Sequence, residues 1–352
     1  MATSWKVRQY QDGDESGIVD LMNVEPQEKP YTLERWRWRY ESNPYGFITT
    51  VAEAKGQIVG HMGLFFLPIR IGRHVLMGAQ ASELAVHPNF RRQGMFLAIG
   101  KQMVRAAKEQ NVRLIYGFPN EPAYRGHIQY GWFDVAKVPV LGIFLDSYES
   151  TKQRTRKIPA HFLLRKLGRL VDRMYQYKRK KLKIAEIAVE KTSFFDTRFE
   201  AFWDDLTIKN ANIRVERSSK YLNWRYRQRR DAHYDIFSAV ENDYPKGFVV
   251  TAIEESQKRR IGYITDIFAH SKPIFHKLLV SSIAFLETQL VDSVKCLMVP
   301  ELEEYKLLKE AGFTAFQYSP LRMCARPSDE SLLDQVNLRQ GWYVSYGDCD
   351  FV

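Results

Sequence analysis

The chain of 352 residues is poor in cysteine and has no long apolar run. Its three cysteines, Cys296, Cys324 and Cys349, are an odd number without metal-ligand spacing, which argues against a disulfide framework or a metal site and favours a reducing, cytoplasmic setting. No stretch of about 18 apolar residues occurs, so no membrane span is expected. A hydrophobic content of 45% and a charged content of 26% are typical of a globular chain, and the length suits two domains.

Positive charge is concentrated in one segment. The net charge is +11, yet residues 151–184 hold 13 Lys and Arg against one acid, Asp172, so the rest of the chain is close to neutral. The high pI therefore does not argue for a nucleic-acid partner. Apolar residues recur in this segment at helical spacing and predict a basic amphipathic helix. They are Phe162, Leu163, Leu167, Leu170, Val171 and Met174.

Three interpretations of this helix stay open. It packs between two domains with a solvated basic face, it makes a peripheral contact with an anionic membrane through residues 152–183, or it clamps an acidic substrate. Under the second interpretation, the protein floats with anionic vesicles, and neutralising the cations from Lys178 to Lys181 reduces that flotation. Equal flotation of the wild type and the neutralised variant would exclude lipid binding by this segment.

An internal repeat divides the chain. Residues 35–40 read Arg-Trp-Arg-Trp-Arg-Tyr, and residues 223–226 read Asn-Trp-Arg-Tyr. Pro119 precedes Gly131 by 12 residues, and Pro300 precedes Gly312 by the same distance. The order and spacing predict two tandem α/β units with mixed sheets. We expect one domain over residues 1–145, a basic helical linker over 146–184 and a second domain over 185–352.

A donor-rich turn in the first copy is the most informative stretch. A strand is predicted over residues 81–86, Pro88 breaks it, and the apolar spacing predicts a helix over residues 94–110. The first turn of a helix has unpaired N–H groups, and Arg91 and Arg92 add positive charge beside them. Such a turn suits a diphosphate. The sequence lacks the glycine patterns of nucleotide hydrolases and of dinucleotide-binding domains.

Two motifs here resemble those of the GNAT acetyltransferases. Val86-His87-Pro88 followed by Arg91-x-x-Gly94 is similar to the family's acyl-CoA loop, and Asn120-x-x-Ala123 followed by Gly131-Trp132 is similar to its second element. The resemblance covers the first copy well and implies that acetyl-CoA is the acyl donor. It assigns cofactor binding to Leu84, Ala85, Val86, Arg91, Arg92, Gln93, Gly94, Met95, Phe96 and Asn120. Phe96 departs from the family's preference for Gly or Ala.

The resemblance also implies direct acyl transfer to an amine. A carboxylate beside the acceptor would take its proton, and Glu83, near the end of the predicted strand, is the candidate base. His127 stands where the family usually has a general-acid tyrosine, with Tyr124 and Tyr130 nearby. Tyr124 and His127 are therefore candidate proton donors to the leaving thiolate. At the C-terminus, Asp348, Asp350 or the carboxylate of Val352 is an alternative base.

The second copy is predicted to be degenerate. Asp266 stands where Glu83 does, but no Arg-x-x-Gly follows it, and Glu301 replaces Asn120. The chain is thus interpreted as a cytoplasmic, or membrane-peripheral, N-acetyltransferase with a small-molecule amine acceptor. The aromatic content favours an amino sugar as that acceptor. The alternatives are a non-catalytic acyl-CoA-binding or scaffold protein, and an aminoacyl-type transferase acting on a cell-wall precursor.

Overall fold

The computed structural model describes residues 4–145, 173–208, 213–256, 259–316, 320–328, 330–336 and 341–349. The predicted fold class, α/β with two mixed sheets, is confirmed. The chain folds into two compact units that are each discontinuous in sequence. Unit 1 comprises Met1–Lys137, Ala211–Asp231 and Arg322–Trp342; unit 2 comprises Val138–Asn210, Ala232–Leu321 and Tyr343–Val352.

The strands and helices are numbered here along the described chain. The strands are β1 (Lys6–Gln9), β2 (Phe47–Ala54), β3 (Gln57–Ile71), β4 (His74–Val86), β5 (Leu114–Gly117), β6 (Phe133–Val138), β7 (Val140–Phe144), β8 (Ala188–Lys191), β9 (Arg214–Val215), β10 (Tyr234–Glu241), β11 (Tyr244–Ser256), β12 (Arg259–Ala269), β13 (Ser293–Leu297), β14 (Thr314–Ala315) and β15 (Leu321–Pro327). The helices are α1 (Asp14–Met22), α2 (Leu33–Arg39), α3 (Met95–Glu109), α4 (Glu121–Ile128), α5 (Arg198–Ile208), α6 (Ser219–Tyr226), α7 (Lys272–Thr288), α8 (Glu303–Glu310) and α9 (Leu333–Val336). Short 3₁₀ turns span Pro88–Phe90, Glu330–Leu332 and Tyr346–Asp348.

Unit 1 is built on a sheet with the order β1-β2-β3-β4-β5-β15-β6, and β9 pairs with the far end of β3. The strands from β1 to β4 are antiparallel neighbours, as are β5 and β15, whereas α3 joins β4 and β5 as a parallel pair. The apolar face of α3 covers the sheet, and its Ile99, Met103 and Ala107 are fully buried. This helix matches the one predicted from the apolar spacing after Gly94.

Unit 2 repeats this arrangement with the order β8-β10-β11-β12-β13-β7-β14. Its parallel pair, β12 and β13, is joined by α7. The recurring strand order agrees with the predicted repeat, but the sheets exchange strands: that of unit 1 contains β9 and β15 from the second half of the sequence, and that of unit 2 contains β7 from the first half. β15 lies between β5 and β6, and β7 lies between β13 and β14. The predicted boundary after residue 145 therefore does not coincide with the limits of the compact units. Strand pairing over long sequence distances determines which residues belong to each unit.

The repeated Trp-Arg-Tyr motifs meet inside unit 1, on α2 and α6. The Trp38 and Trp224 rings stack with centroids 5.3 Å apart. Each indole Nε1 donates a hydrogen bond of 2.9 Å to the backbone carbonyl oxygen of the other tryptophan. Burial of aromatic rings with their N–H groups satisfied is strongly stabilising. This reciprocal contact gives both motifs a structural role in the core of unit 1.

The predicted basic linker lies largely outside the described residues, which resume at residue 173. Residues 173–180 are helical, with Tyr175 buried and with Met174 and Tyr177 exposed. Among the described residues, no helix combines the length and the hydropathy needed to cross a membrane. The lipid contact through residues 152–183 stays a prediction.

Candidate active site

A gap opens between the two parallel strands of unit 1. β4 pairs with β5 from Gly78 to Gln80 only, although β4 continues to Val86. On its other side β4 stays paired with β3 as far as Val86. The N–H of His87 donates to the Val59 carbonyl oxygen on β3, at 2.9 Å. Successive residues of a strand point their backbone N–H and C=O groups to opposite sides. The backbone groups of Val86 therefore face the gap.

The turn after β4 leads into the N-terminus of α3. Gly94 is the N-cap residue with φ of 79°, and Arg92 is also left-handed with φ of 63°. No side chain caps the helix, and its first described intrahelical bond runs from the N–H of Ala98 to the Gly94 carbonyl oxygen. The N–H groups of residues 95–97 therefore have no partner within the helix, and the helix dipole places positive charge beside them. This end of α3 is suited to an anion.

A cleft of about 740 Å³ connects the strand gap with this helix end. Nine of the ten residues predicted to bind the cofactor line the cleft: Leu84, Ala85, Val86, Arg91, Arg92, Gly94, Met95, Phe96 and Asn120. The tenth, Gln93, does not line it and donates from its side-chain amide to the Asn89 carbonyl oxygen at 3.3 Å. Asn120 is the N-cap of α4, and its side chain accepts a hydrogen bond from the N–H of Ala123 at 3.0 Å. The structure thus brings the predicted cofactor residues together.

The opposite wall of the cleft is the end of α1 and the loop that follows it. Leu21, Met22 and residues 24–27 line it. Sequence reasoning missed this wall because the loop carries no motif and lies about 60 residues before the donor-rich turn. The signal available in the sequence was the presence of an acid, Glu25, in a loop that leads from α1 to the Trp-Arg motif.

Arg91 is tied to both walls of the cleft. Its Nε donates to the Val86 carbonyl oxygen at 3.1 Å, and its Nη1 and Nη2 donate to the two carboxylate oxygens of Glu25 at 3.0 and 2.7 Å. The hydrogen bond and charge of Glu25 raise the pKa of Arg91, and Arg91 in turn lowers the pKa of Glu25. Both groups are charged over the physiological range.

Glu83 occupies a bulge of β4 next to Leu84, but it does not itself line the cleft. The register between β3 and β4 shifts next to it, and its φ of 56° is left-handed. Its side chain is 4% exposed and forms an ion pair with Arg39, whose guanidinium also donates to the Ser82 hydroxyl at 2.8 Å. Glu83 is therefore held in one orientation by a buried cation.

Two tyrosines face the same carboxylate. Burial, followed by the negative charge of Glu83, raises the pKa of Tyr31 and of Tyr40, so both hydroxyls stay protonated. Hydrogen bonding of each hydroxyl to the Glu83 carboxylate adds to these shifts. His61 Nδ1 lies 2.8 Å from the Glu83 carbonyl oxygen. Glu83 therefore stands in a buried polar cluster with Arg39 and two protonated tyrosines.

His127 and Tyr124 also lie away from the cleft lining. His127 is 5% exposed, its ring centroid is 4.4 Å from that of Trp132, and its Nδ1 bonds the Tyr130 hydroxyl. Burial lowers the pKa of His127 to about 4. The Tyr124 hydroxyl donates to Asp134 at 3.0 Å, which raises the pKa of Tyr124. Their roles as proton donors stay predictions.

The buried imidazole predicts an acid-sensitive contribution to stability. His127 has a folded pKa of about 4 and an unfolded pKa of about 6.5, so the unfolded chain binds the extra proton as the pH falls through this window. Between pH 7 and pH 5 this group alone removes about 2 kcal/mol from the free energy of unfolding. Urea unfolding at both pH values measures it. His127→Asn, which keeps a polar atom near the Nδ1 position, should lose less stability than the wild type over this range; an equal loss would contradict the prediction.

In unit 2, β12 corresponds to β4, but its end is built differently. Asp266 on β12 is 1% exposed and accepts a hydrogen bond from the Ser345 hydroxyl. The Tyr343 hydroxyl donates to the Ile267 carbonyl oxygen at 3.1 Å, so residues of the C-terminal segment cover this strand end. Helix α7 starts after Ser271 with Pro273 in its first turn, and no glycine stands there. The geometry agrees with the predicted degeneration of the second copy.

Of the C-terminal groups predicted as alternative bases, the structure describes Asp348. Asp348 is 3% exposed and accepts hydrogen bonds from the backbone N–H and the hydroxyl of Ser345, at 2.9 and 3.2 Å. It belongs to unit 2 and caps its own turn. Asp350 and Val352 lie outside the described residues. The alternative role of the C-terminus as a base stays a prediction.

Comparison with known proteins gives a family for part of the chain and a fold for most of it. Residues 6–133 match the family model of the acetyltransferase (GNAT) domain. A GCN5-related N-acetyltransferase from Anabaena variabilis ATCC 29413 is similar in structure over 93% of this chain and 73% of that one, with a TM-score of 0.66 and 15% identity. No curated protein matches the sequence.

Two further crystal structures are similar over 92% of this chain. One is a conserved protein of unknown function from Enterococcus faecalis V583, described as a probable N-acyltransferase, with a TM-score of 0.65, 16% identity and 72% of its own length covered. The other is a GCN5-related N-acetyltransferase from Kribbella flavida, with a TM-score of 0.62, 12% identity and 71% covered. At these identities the likeness establishes the fold.

Proposed function

We propose, because residues 6–133 form a GNAT acetyltransferase domain, that the protein is an N-acetyltransferase that transfers an acetyl group from acetyl-CoA to a primary amine. The observation that carries the proposal is the single cleft in which nine of the predicted cofactor residues meet. The aromatic content of the chain favours an amino sugar as the acceptor.

In this proposal the diphosphate of the donor binds where the chain turns into α3. The N–H groups of residues 95–97 and the guanidinium groups of Arg91 and Arg92 supply the donors. Gly94 leaves the approach open, since nothing lies within 4 Å of the position that a Cβ would take. The pantetheine arm then follows Leu84 to Val86, where backbone groups of β4 face the strand gap.

The chemistry requires an uncharged amine. An alkyl ammonium with a pKa of about 10.4 loses its proton at pH 7 at a cost of roughly 4–5 kcal/mol. Glu83 is the proposed proton acceptor, directly or through a water. The amine nitrogen attacks the thioester carbonyl carbon and the C–N bond forms. The nitrogen of the tetrahedral intermediate releases its second proton to solvent, the C–S bond breaks, and the leaving thiolate takes a proton from solvent. Backbone N–H groups beside the gap would stabilise the oxyanion, by around 3 kcal/mol for each well-placed donor.

Two contacts support Glu83 in this role. Arg39 binds one carboxylate oxygen and so fixes the side chain, beside the protonated hydroxyls of Tyr31 and Tyr40. Leu84, the next residue along β4, lines the donor cleft. The carboxylate is thereby anchored one residue from the proposed donor.

The test is thiol release from acetyl-CoA in the presence of a panel of amines, together with calorimetry of coenzyme A binding. Thiol release that depends on one class of amine supports the transferase. Tight binding of coenzyme A without thiol release from any amine favours the scaffold alternative, which the burial of His127 keeps open. Failure to bind coenzyme A would overturn the proposal.

A further inference from the structure

The loop between α1 and α2 places one acid at the proposed diphosphate site. Residues 24–27 of this loop line the donor cleft together with Arg91 and Arg92. Among the residues that line the cleft, Glu25 is the one with a carboxylate. That carboxylate lies where the loop meets the turn before α3. The helix dipole adds positive charge at this end of α3.

Glu25 binds the same donors that a phosphate would use. Arg91 presents its two terminal nitrogens side by side to the carboxylate, at 3.0 and 2.7 Å, while its Nε is fixed on the Val86 carbonyl oxygen. A guanidinium offers this pair of parallel N–H groups to a carboxylate or to a phosphate with the same geometry. Because Nε is held at the strand end, a carboxylate and a phosphate would compete for the two terminal nitrogens of Arg91.

The pair is exposed enough to be exchanged. The side chain of Arg91 is 49% exposed and that of Glu25 is 64% exposed. Exposed ion pairs contribute little to stability, because water screens them and two flexible side chains are ordered. A diphosphate carries more charge than one carboxylate and also reaches the free N–H groups of α3, so it should win the competition.

We propose that Glu25 is an affinity-determining residue of the donor site: it occupies Arg91 in the free protein, and the diphosphate of the donor displaces it. The inference rests on the proposed function, since it assumes an acyl-CoA at the N-terminus of α3. Donor binding then breaks the contact between the two walls of the cleft. Removing the carboxylate removes both a competitor and a repelling charge, so the affinity for coenzyme A rises.

Calorimetry with coenzyme A tests this inference at low ionic strength. Glu25→Gln should bind coenzyme A about 3–10 times more tightly than the wild type. Glu28→Gln is the matched control, since it removes an acid of the same loop that does not line the cleft, and its affinity should be unchanged. In an Arg91→Gln background, the gain from Glu25→Gln should largely disappear, because the competition needs Arg91.

The outcomes separate the two proposals. If the wild type and Glu25→Gln bind coenzyme A equally, or the variant binds more weakly, the role of Glu25 is overturned while the donor site stands. An equal gain in Glu28→Gln would also overturn it, because the effect would then be one of general charge. If neither the wild type nor Glu25→Gln binds coenzyme A, the proposed function and this inference both fall.

Discussion

Gly94→Asp should weaken coenzyme A binding by at least about 100-fold, which corresponds to about 2.7 kcal/mol. Gly94 is the N-cap of α3, and its neighbouring N–H groups are free for a ligand. Gly94 is left-handed rather than extended, so an aspartate there acts through its negative charge, which interacts favourably with the helix dipole, and not as a regular side-chain cap. The variant would therefore fold while its own side chain blocks and repels the diphosphate.

Calorimetry measures this effect, and the chain offers a matched control. Gly56, in the turn between β2 and β3, has φ of 77° against 79° for Gly94, and nothing lies within 4 Å of its Cβ position either. Gly56→Asp thus carries the same strain, roughly 1 kcal/mol, without touching the cleft. It should bind coenzyme A like the wild type. Unchanged affinity in Gly94→Asp would remove the donor from the N-terminus of α3.

Glu83→Gln should lower kcat by about 100- to 10,000-fold and leave coenzyme A affinity unchanged, because general-base catalysis typically contributes a factor of this size. The amide keeps the shape of the side chain and can still accept a hydrogen bond from Arg39. It cannot take a proton from the acceptor. Since the variant removes the buried ion pair between Arg39 and Glu83, a loss of up to about 3–5 kcal/mol in the free energy of unfolding is expected as well.

Asp266→Asn is the control for the loss of a buried acid at the corresponding strand of unit 2. Asp266 is 1% exposed and hydrogen-bonded to Ser345, so the substitution should lower stability and leave kcat as in the wild type. The readouts are kcat and KM from thiol release, with the folded fraction checked by urea unfolding at the assay temperature. A folded Glu83→Gln protein that retains wild-type kcat would show that another group or water takes the proton.

The parts of the fold that depend on local sequence were predictable. Apolar spacing predicted α3, and Gly94 ahead of it marked the end of the turn. The cofactor residues from Leu84 to Phe96 are close in sequence, so one strand, one turn and one helix suffice to bring them together. Asn120 was added through the resemblance of Asn120-x-x-Ala123 to the family's second motif, and the parallel pairing of β5 with β4 brings the start of α4 to the same site.

Long-range pairing could not be predicted in the same way. Nothing in the periodicity of residues 321–327 indicates that they pair with β5 rather than with strands of their own half. The spacing to Gly131-Trp132 placed His127 at the family's tyrosine position, but it did not reveal that Trp132 and Tyr130 enclose the imidazole. The buried pairing of Glu83 with Arg39, 44 residues earlier in the chain, likewise depends on tertiary packing.

The exchange of β7 and β15 between the sheets constrains how this protein can fold while it is being synthesised. The sheet of unit 1 closes only when β15 is available to lie between β5 and β6. At a translation rate of about 5–20 residues per second, the nascent first half waits on the order of tens of seconds for that strand. During this interval the facing sides of β5 and β6 are unpaired edges, which favour association with other chains. The nascent chain is therefore expected to need chaperones most before its last strand, β15, has left the ribosome.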